Sequence, residues 1–452
     1  KKMLYNILRY IVIVTVKIFF NSIYTKNLDQ LPKSGALIIA PNHPSTFLDP
    51  LVISVWLDRP IYFLTNGGAF SSPFKKWLYT KLFMIPIYRQ QDSKEGIDSA
   101  NQNEQAFDNC YDMLAQGKVI IIFPEGTSEN ERRLRKIKTG LARIALGAEA
   151  KYDFKLNVKI ACVGINYTNP RKFQSKLFVN FTKPILATDY QEKYKNDSRE
   201  AVKEMTSLIS EKLESLIVIT PDEKADKLVR KIEILYSNRL QKNLNLSSDQ
   251  TEQIFTIGQY ISDAVKYYQE KNNQRVVDLD DKIEKYFLLL KKEKIRDKTV
   301  LKIADKKQVI RKLLKYIPQL LIILPLYIYG LIHNYLPFIL PGIVAKKATP
   351  YAVFRGPINL VTGIFTFVSF YLIYCTIFFL FTKNILLTII YFISLPISGY
   401  LTFYYWNYLL RVFESIRLFF IFEKGQNTYE LRKMRDNIIE ELEKIKEEYL
   451  NS

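Results

Sequence analysis

Val119-Ile120-Ile121-Ile122-Phe123 is an unbroken apolar run that stops on Pro124-Glu125-Gly126-Thr127. A short β-branched run bounded by Pro and Gly predicts a strand buried on both faces. Outward from it, residues 36–40, 61–65, 158–166 and 177–181 carry the same strand signature. Residues 47–57, 97–115 and 139–146 between them have helical spacing. Strands that alternate with helices predict a layered α/β domain with a largely parallel sheet, here over residues 28–190.

The remainder is built differently. The chain has 452 residues, with 65 Lys+Arg against 45 Asp+Glu and a formal charge of +20. That length predicts two or three structural units, and the charge predicts anionic surroundings or substrates. Three cysteines in unrelated contexts exclude a disulfide framework and a cysteine-based zinc site, and two histidines exclude a His-rich metal centre. No metal site is expected.

Residues 316–345, 356–382 and 384–410 contain no Asp, Glu, Lys or Arg. Each exceeds the roughly 20 residues that cross a hydrocarbon core, which predicts a multi-pass membrane protein. Charge alone would admit a nucleic-acid binder, but no nucleic-acid module is recognisable and the apolar stretches fit none. Pro318, Pro325, Pro337 and Pro341 interrupt the first stretch, and His333-Asn334 lies near its middle. Four prolines and a polar pair predict two half-passes joined by a turn, so residues 316–410 read as a re-entrant hairpin plus two spans. The basic loop with Lys346, Lys347 and Arg355 then shares the cytoplasmic side with the α/β domain.

Residues 1–27 read as one interfacial or membrane helix, with Arg9 and Lys17 interrupting its apolar surface. No cleavage pattern follows it, so a removable leader is not expected. Residues 191–315 read as a charged helical region, and 411–452 as an amphipathic helical tail. Residues 282–315 hold 13 Lys/Arg and four Asp/Glu and lead straight into the first apolar stretch, which suits anionic headgroups.

The chemistry gathers in the α/β domain. Asn42-His43-Pro44-Ser45-Thr46-Phe47-Leu48-Asp49 follows a strand directly. Pro44 suits the first turn of the next helix, and Ser45 or Asn42 suits its cap. His43 then sits at the carboxyl edge of the sheet, where open α/β sheets place their ligands. Asp49 is six residues on, so a bond to His43 requires His43 in the entering loop. A carboxylate on His43 would fix its tautomer and make the ring a general base. Glu125 and Gly126 end a second strand at the same edge. Glu125 is suited to accept a substrate hydroxyl or position a cation, and Gly126 lets backbone approach a ligand. Arg89 and the cluster Arg132, Arg133, Arg135, Lys136 and Lys138 supply sites for a phosphate.

These blocks resemble the glycerolipid acyltransferase family of glycerol-3-phosphate and 1-acylglycerol-3-phosphate acyltransferases. The family's His–Asp block is similar to His43 through Asp49, with one residue more between them than its common form. Its second block resembles Pro86-Ile87-Tyr88-Arg89, its third Phe123-Pro124-Glu125-Gly126, and its fourth, loosely, Ile160 through Ile165, with Gly164 where proline is usual. The common Thr-Arg-Ser after the glycine is Thr127-Ser128 here, followed by Glu129-Asn130-Glu131-Arg132-Arg133. The resemblance implies a membrane-bound enzyme of phospholipid biosynthesis. It would move a fatty acyl group from acyl-CoA or acyl carrier protein to a glycerol-phosphate hydroxyl, without a further cofactor. His43 and Asp49 would be catalytic, and Arg89, Glu125, Gly126, Arg133 and Lys138 would bind substrate. No Gly-x-Ser-x-Gly elbow is present, so direct attack without an acyl-enzyme is expected. The alternatives are a phospholipid or thioester hydrolase using the same His–Asp pair, and a non-enzymatic membrane tether.

Overall fold

In the computed structural model, which describes residues 2–70, 72–87, 99–243, 249–302, 306–423 and 428–451, the Val119–Ile121 run lies inside an eight-stranded sheet. The chain divides into two compact units. The first comprises Lys1–Ile219 with Ser247–Thr256 and Tyr351–Pro357; the second comprises Thr220–Leu246, Ile257–Pro350 and Ile358–Ser452.

The first unit runs α1 (Lys2–Phe19), β1 (Phe20–Lys26), β2 (Leu37–Pro41), α2 (Leu48–Ser54), β3 (Ile61–Asn66), α3 (Pro73–Lys81), β4 (Met84–Ile87), α4 (Ser99–Ala115) and β5 (Val119–Ile121). It continues through α5 (Gly140–Lys151), β6 (Lys159–Tyr167), β7 (Ser175–Phe181), β8 (Ile185–Leu186), α6 (Gln191–Asn196) and α7 (Ser198–Glu214). The sheet order is β1-β7-β6-β2-β5-β3-β4, with β8 on β6. Only the β6–β7 and β6–β8 pairs are antiparallel among the described residues. The α/β reading with a largely parallel sheet therefore holds.

Register is what matters for chemistry. β2 lies between β5 and β6, with Ile39 opposite Ile121 and Pro41 opposite Val163. Three parallel strands end side by side, so Asn42-His43, Phe123-Pro124-Glu125 and Asn166-Tyr167 emerge at one edge. All residues of β2 and β5 are buried, and Ile38, Ile120 and Ile160 pack against Leu114 of α4, Leu141 and Ala145 of α5 and Met205 and Ile209 of α7. The α4–α5 contact is close, since a Cβ on Gly147 would overlap Tyr111 Oη.

Residues 1–27 are not one helix. α1 ends at Phe19, and Phe20–Lys26 joins the sheet in parallel with β7. Asn21, Ser22, Thr25 and Lys26 leave β1 with no clear apolar alternation, so periodicity does not mark it; pairing with β7 places it in the sheet. Arg9 is held by Asp58 at 2.8 Å, while Ile7, Tyr10, Ile11, Val14 and Ile18 remain exposed.

The second unit contains helices α8 (Glu223–Asn243), most of α9 (Gln250–Lys271), α10 (Asn273–Lys292), α11 (Asp297–Lys302), α12 (Lys306–Ala348), most of α13 (Ala352–Thr382), α14 (Ile385–Glu423) and α15 (Thr428–Leu450). Val229, Ile232, Ile283, Tyr286, Ile438 and Leu442 form its core. At the centre Arg435 Nε donates to Asp297 Oδ1 at 2.7 Å, and Tyr286 Oη donates to the same oxygen at 2.8 Å. Part of the basic excess of 282–315 is paired locally: Lys282 with Glu441, and Arg296 with Glu414.

The expected hairpin does not form. Residues 316–345 lie within the single 43-residue helix α12, with all four prolines inside it. The polar pair is satisfied by helices: His333 Nδ1 bonds Tyr329 O at 2.7 Å, while Asn334 Nδ2 donates to Gly330 O at 2.9 Å and Leu395 O at 3.3 Å and its Oδ1 accepts Tyr371 Oη at 2.6 Å. Pro341 has no N–H for the Pro337 carbonyl, which instead accepts Thr366 Oγ1 at 2.9 Å. The tail also differs from expectation, since α14 continues past residue 410 to Glu423 before α15 begins. Among the described residues three helices are long and apolar enough to cross a membrane: Lys307–Ala348, Ala352–Thr382 and Ile385–Ile421. α12 and α14 run antiparallel, with Tyr316 against Tyr408 and Tyr329 Oη bonded to Ser394 Oγ at 2.5 Å.

A continuous α12 makes a direct prediction. Lys307→Cys and Lys346→Cys, introduced singly in a cysteine-free chain in sealed, oriented vesicles, should react with an impermeant thiol reagent from opposite faces. Labelling from one face would restore the hairpin.

Candidate active site

The end of β2 delivers His43 into a turn rather than a helix. α2 begins only at Leu48, so Pro44 precedes its first turn, and its N-terminus carries no side-chain cap. Asn42 is used elsewhere. Its Nδ2 donates to Ile165 O at 3.1 Å and its Oδ1 accepts Ile165 N–H at 2.7 Å, which clamps the turn to β6. Within the turn Thr46 has φ +35°, unusual for a β-branched residue. The longer His–Asp spacing is absorbed here, before α2 starts.

The turn brings His43 Nδ1 to 2.8 Å from Asp49 Oδ2. Asp49 has no exposed surface. Its Oδ2 also accepts Ser45 N–H at 2.8 Å, and its Oδ1 accepts Tyr167 Oη at 2.9 Å. Burial raises the Asp49 carboxyl above its ordinary range, against the opposing pull of the His43, Ser45 and Tyr167 hydrogen bonds. The His43 ring stacks on Phe123, with centroids 3.9 Å apart and planes 22° apart. Its Nε2 has no hydrogen-bond partner among the described residues, and the side chain keeps 18% of its surface open. A histidine held at one nitrogen and open at the other is arranged to exchange a proton with something outside the protein.

Glu125 is placed differently from the sequence expectation. Its Oε1 accepts the His43 backbone N–H at 2.7 Å and its Oε2 accepts the Arg135 backbone N–H at 3.1 Å. Both oxygens tie loops together, and the residue is buried, which raises its carboxyl while those two N–H groups oppose the shift. The reason is the register of β2 and β5, which sets Glu125 beside the backbone of His43 instead of an open cleft. Thr46 N–H to Ser128 Oγ at 2.7 Å and Glu129 N–H to His43 O at 3.2 Å complete the clasp.

Gly126 has φ +70°, and a Cβ there would meet Lys138 Nζ at 2.9 Å. The Lys138 chain thus lies across Gly126, and Lys138 N–H donates to Pro124 O at 2.9 Å. Lys138 has no ion-pair partner among the described residues. Arg133, by contrast, is engaged by Glu131 at 2.8 Å, and Arg135 lies 3.6 Å from Glu129. Arg89 falls outside the described residues. Among the described residues no group of three His, Cys, Asp or Glu side chains converges to hold a metal ion. Sequence reasoning misses Tyr167 and Ser128; the cue for Tyr167 is a polar end on a strand running parallel to β2.

A sequence model of the acyltransferase family matches residues 22–166, which contain most of β1 through almost all of β6 and the whole His43–Asp49 turn. Residues 22–166 are thus an acyltransferase domain similar to those of glycerolipid acyltransferases. Glycerol-3-phosphate O-acyltransferase 1 of Saccharomyces cerevisiae is 32% identical over 197 residues, covering 43% of this chain and 25% of the yeast protein. The chloroplastic 1-acyl-sn-glycerol-3-phosphate acyltransferase of Arabidopsis thaliana is 25% identical over 28% of this chain and 33% of its own length. Among solved structures, the 1-acyl-sn-glycerophosphate acyltransferase PlsC of Thermotoga maritima aligns at 17% identity and a TM-score of 0.33, covering 45% of this chain and 78% of that one. The chain spans about a quarter of the yeast relative's length.

The geometry of Glu125 is testable. Glu125→Gln should destabilise the protein by about 1–3 kcal/mol, since one carboxylate acceptor becomes an amide facing a backbone N–H. Thermal unfolding in detergent measures this. Unchanged stability with a selective rise in acceptor KM would instead put Glu125 on the substrate.

Proposed function

We propose that this protein transfers a fatty acyl group from a thioester, acyl-CoA or acyl carrier protein, to a hydroxyl of glycerol 3-phosphate or 1-acylglycerol 3-phosphate. The observation that carries the reading is the 2.8 Å bond from His43 to a fully buried Asp49, with Nε2 left open. The match to the yeast glycerol-3-phosphate relative, longer and closer than that to the plant one, favours glycerol 3-phosphate as acceptor.

In this mechanism Asp49 holds the proton of His43 on Nδ1, so Nε2 accepts the proton of the acceptor hydroxyl. As that proton leaves, the hydroxyl oxygen bonds to the thioester carbonyl carbon. The tetrahedral centre then collapses, the carbon–sulfur bond breaks, and the ring returns its proton to the departing thiolate. Buried Asp49 favours the protonated ring that forms midway, where charge develops in a low-dielectric setting. Lys138, free of carboxylate partners among the described residues and laid over Gly126, supplies the cation for the acceptor phosphate. Arg133 is a poorer candidate because Glu131 already holds it. We further assign α12, α13 and α14 to the membrane, in contact with lipid, and the α/β domain to the cytoplasmic side, where a soluble thioester donor can reach it.

Two substitutions separate chemistry from binding. With purified protein and labelled acyl donor, His43→Ala should lower kcat about 10²–10⁴-fold at saturating substrates, with the circular dichroism spectrum unchanged. Near-normal turnover by a folded mutant would remove His43 from the chemistry. Lys138→Ala should raise the acceptor KM about 10- to 150-fold, the range of a charge-assisted bond, with little change in donor KM. Arg133→Ala in the same assay should stay within about twofold of the parent. The opposite ranking would move the phosphate to Arg133.

A further inference from the structure

Asp49 makes three hydrogen bonds, and they are not equivalent. The bonds to His43 Nδ1 and Ser45 N–H are local to the turn, and both fall on Oδ2. The bond from Tyr167 Oη comes from 118 residues away and is the one side-chain contact on Oδ1 among the described residues. A carboxylate held at one oxygen can rotate about that contact; held at both, its plane is fixed. We propose that Tyr167 is a positioning residue for the His43–Asp49 pair, and that it sets which carboxylate oxygen faces Nδ1 and how strongly the shared proton is held. This inference rests on the acyl-transfer reading above.

Several features suit Tyr167 to the role. It closes β6, the strand paired in parallel with β2, so the backbone that carries His43 also fixes the distance to the phenol. The ring is 8% exposed and stacks on Phe20 of β1, with centroids 5.7 Å apart and planes 20° apart. Burial and the neighbouring Asp49 hold the phenol well above its ordinary range, so it remains a donor. Among the described residues the ionisable groups bearing on Asp49 are His43 on the turn, Tyr167 on β6, and Glu125 on the loop after β5, whose charge also bears on His43. Glu125 is fixed on backbone N–H groups, so it offers Asp49 no alternative donor.

Tyr167→Phe keeps the ring and removes the donor. In the full chain, kcat should fall about 3- to 30-fold while both KM values stay within about twofold. The acid limb of the kcat/KM profile should move to higher pH. A carboxylate relieved of one donor interacts more strongly with the protonated ring and keeps it protonated to higher pH. In an Asp49→Asn background, Tyr167→Phe should cause little further loss of kcat, because both changes act through the same carboxyl group. A Tyr167→Phe enzyme with parental kcat and pH profile would overturn the proposal. So would a loss equal at every pH and additive with Asp49→Asn, which marks a merely structural residue. His43→Ala in the same assay separates the two levels. If it is inactive while Tyr167→Phe equals the parent, only the role of Tyr167 falls; if it is active, the dyad and Tyr167 fall together.

Discussion

Everything at the candidate site depends on the burial of one carboxylate. Asp49 has no exposed surface, and a lone charge so placed would be costly by several kcal/mol after relaxation. Three hydrogen-bonding groups converge on it instead, the Ser45 N–H and the His43 ring from its own turn and Tyr167 Oη from the far end of β6. Remove the sheet register and Tyr167 no longer reaches; remove the left-handed step at Thr46 and Ser45 and His43 no longer face one oxygen. The acid is thus a meeting point for local backbone geometry and long-range strand pairing.

The loops around it are tied by the same logic. Glu125, Ser128 and Glu129 each bond the backbone of the His43–Thr46 turn, so the segment after β5 clasps the segment after β2. Preorganisation of this kind keeps the imidazole on Phe123 with Nε2 outward, and little reordering is needed when a hydroxyl arrives. The buried Arg435–Asp297–Tyr286 cluster shows a similar solution in the helical unit: a fully paired charge inside a bundle core.

Much of this is legible in the residues, though unevenly. Strands β2, β3, β5, β6 and β7 carry compact apolar runs, and the His43-to-Asp49 motif announces its chemistry through residue type alone. β1 is hidden because Asn21, Ser22, Thr25 and Lys26 scatter its few apolar residues, leaving no strand signature. The hairpin expected at residues 316–345 fails because proline number is a poor guide in apolar helices. Thr366 takes up the carbonyl that Pro341 leaves open, and His333 and Asn334 bond carbonyls of their own helix. Glu125 reads as a substrate ligand because its type suits that role, yet its partners are backbone N–H groups. No side-chain pattern encodes such partners; only the parallel register of β2 and β5 brings them within reach. Spacing does not rank Arg133 against Lys138, and the acidic neighbours Glu129 and Glu131 distinguish them only in three dimensions.

The proton on His43 is the most direct witness to the proposed chemistry. The chain has two histidines, so selective ¹⁵N-histidine labelling yields two imidazoles, and His43→Gln assigns them. A His43 ring with its proton on Nδ1, bonded to the Asp49 carboxylate, and a bare Nε2 is the state that general-base catalysis requires. The Nδ1 proton should be strongly deshielded and should lose that character in Asp49→Asn. A proton on Nε2 with Nδ1 bare would mean that Asp49 is the protonated partner, and His43 could not take the acceptor's proton.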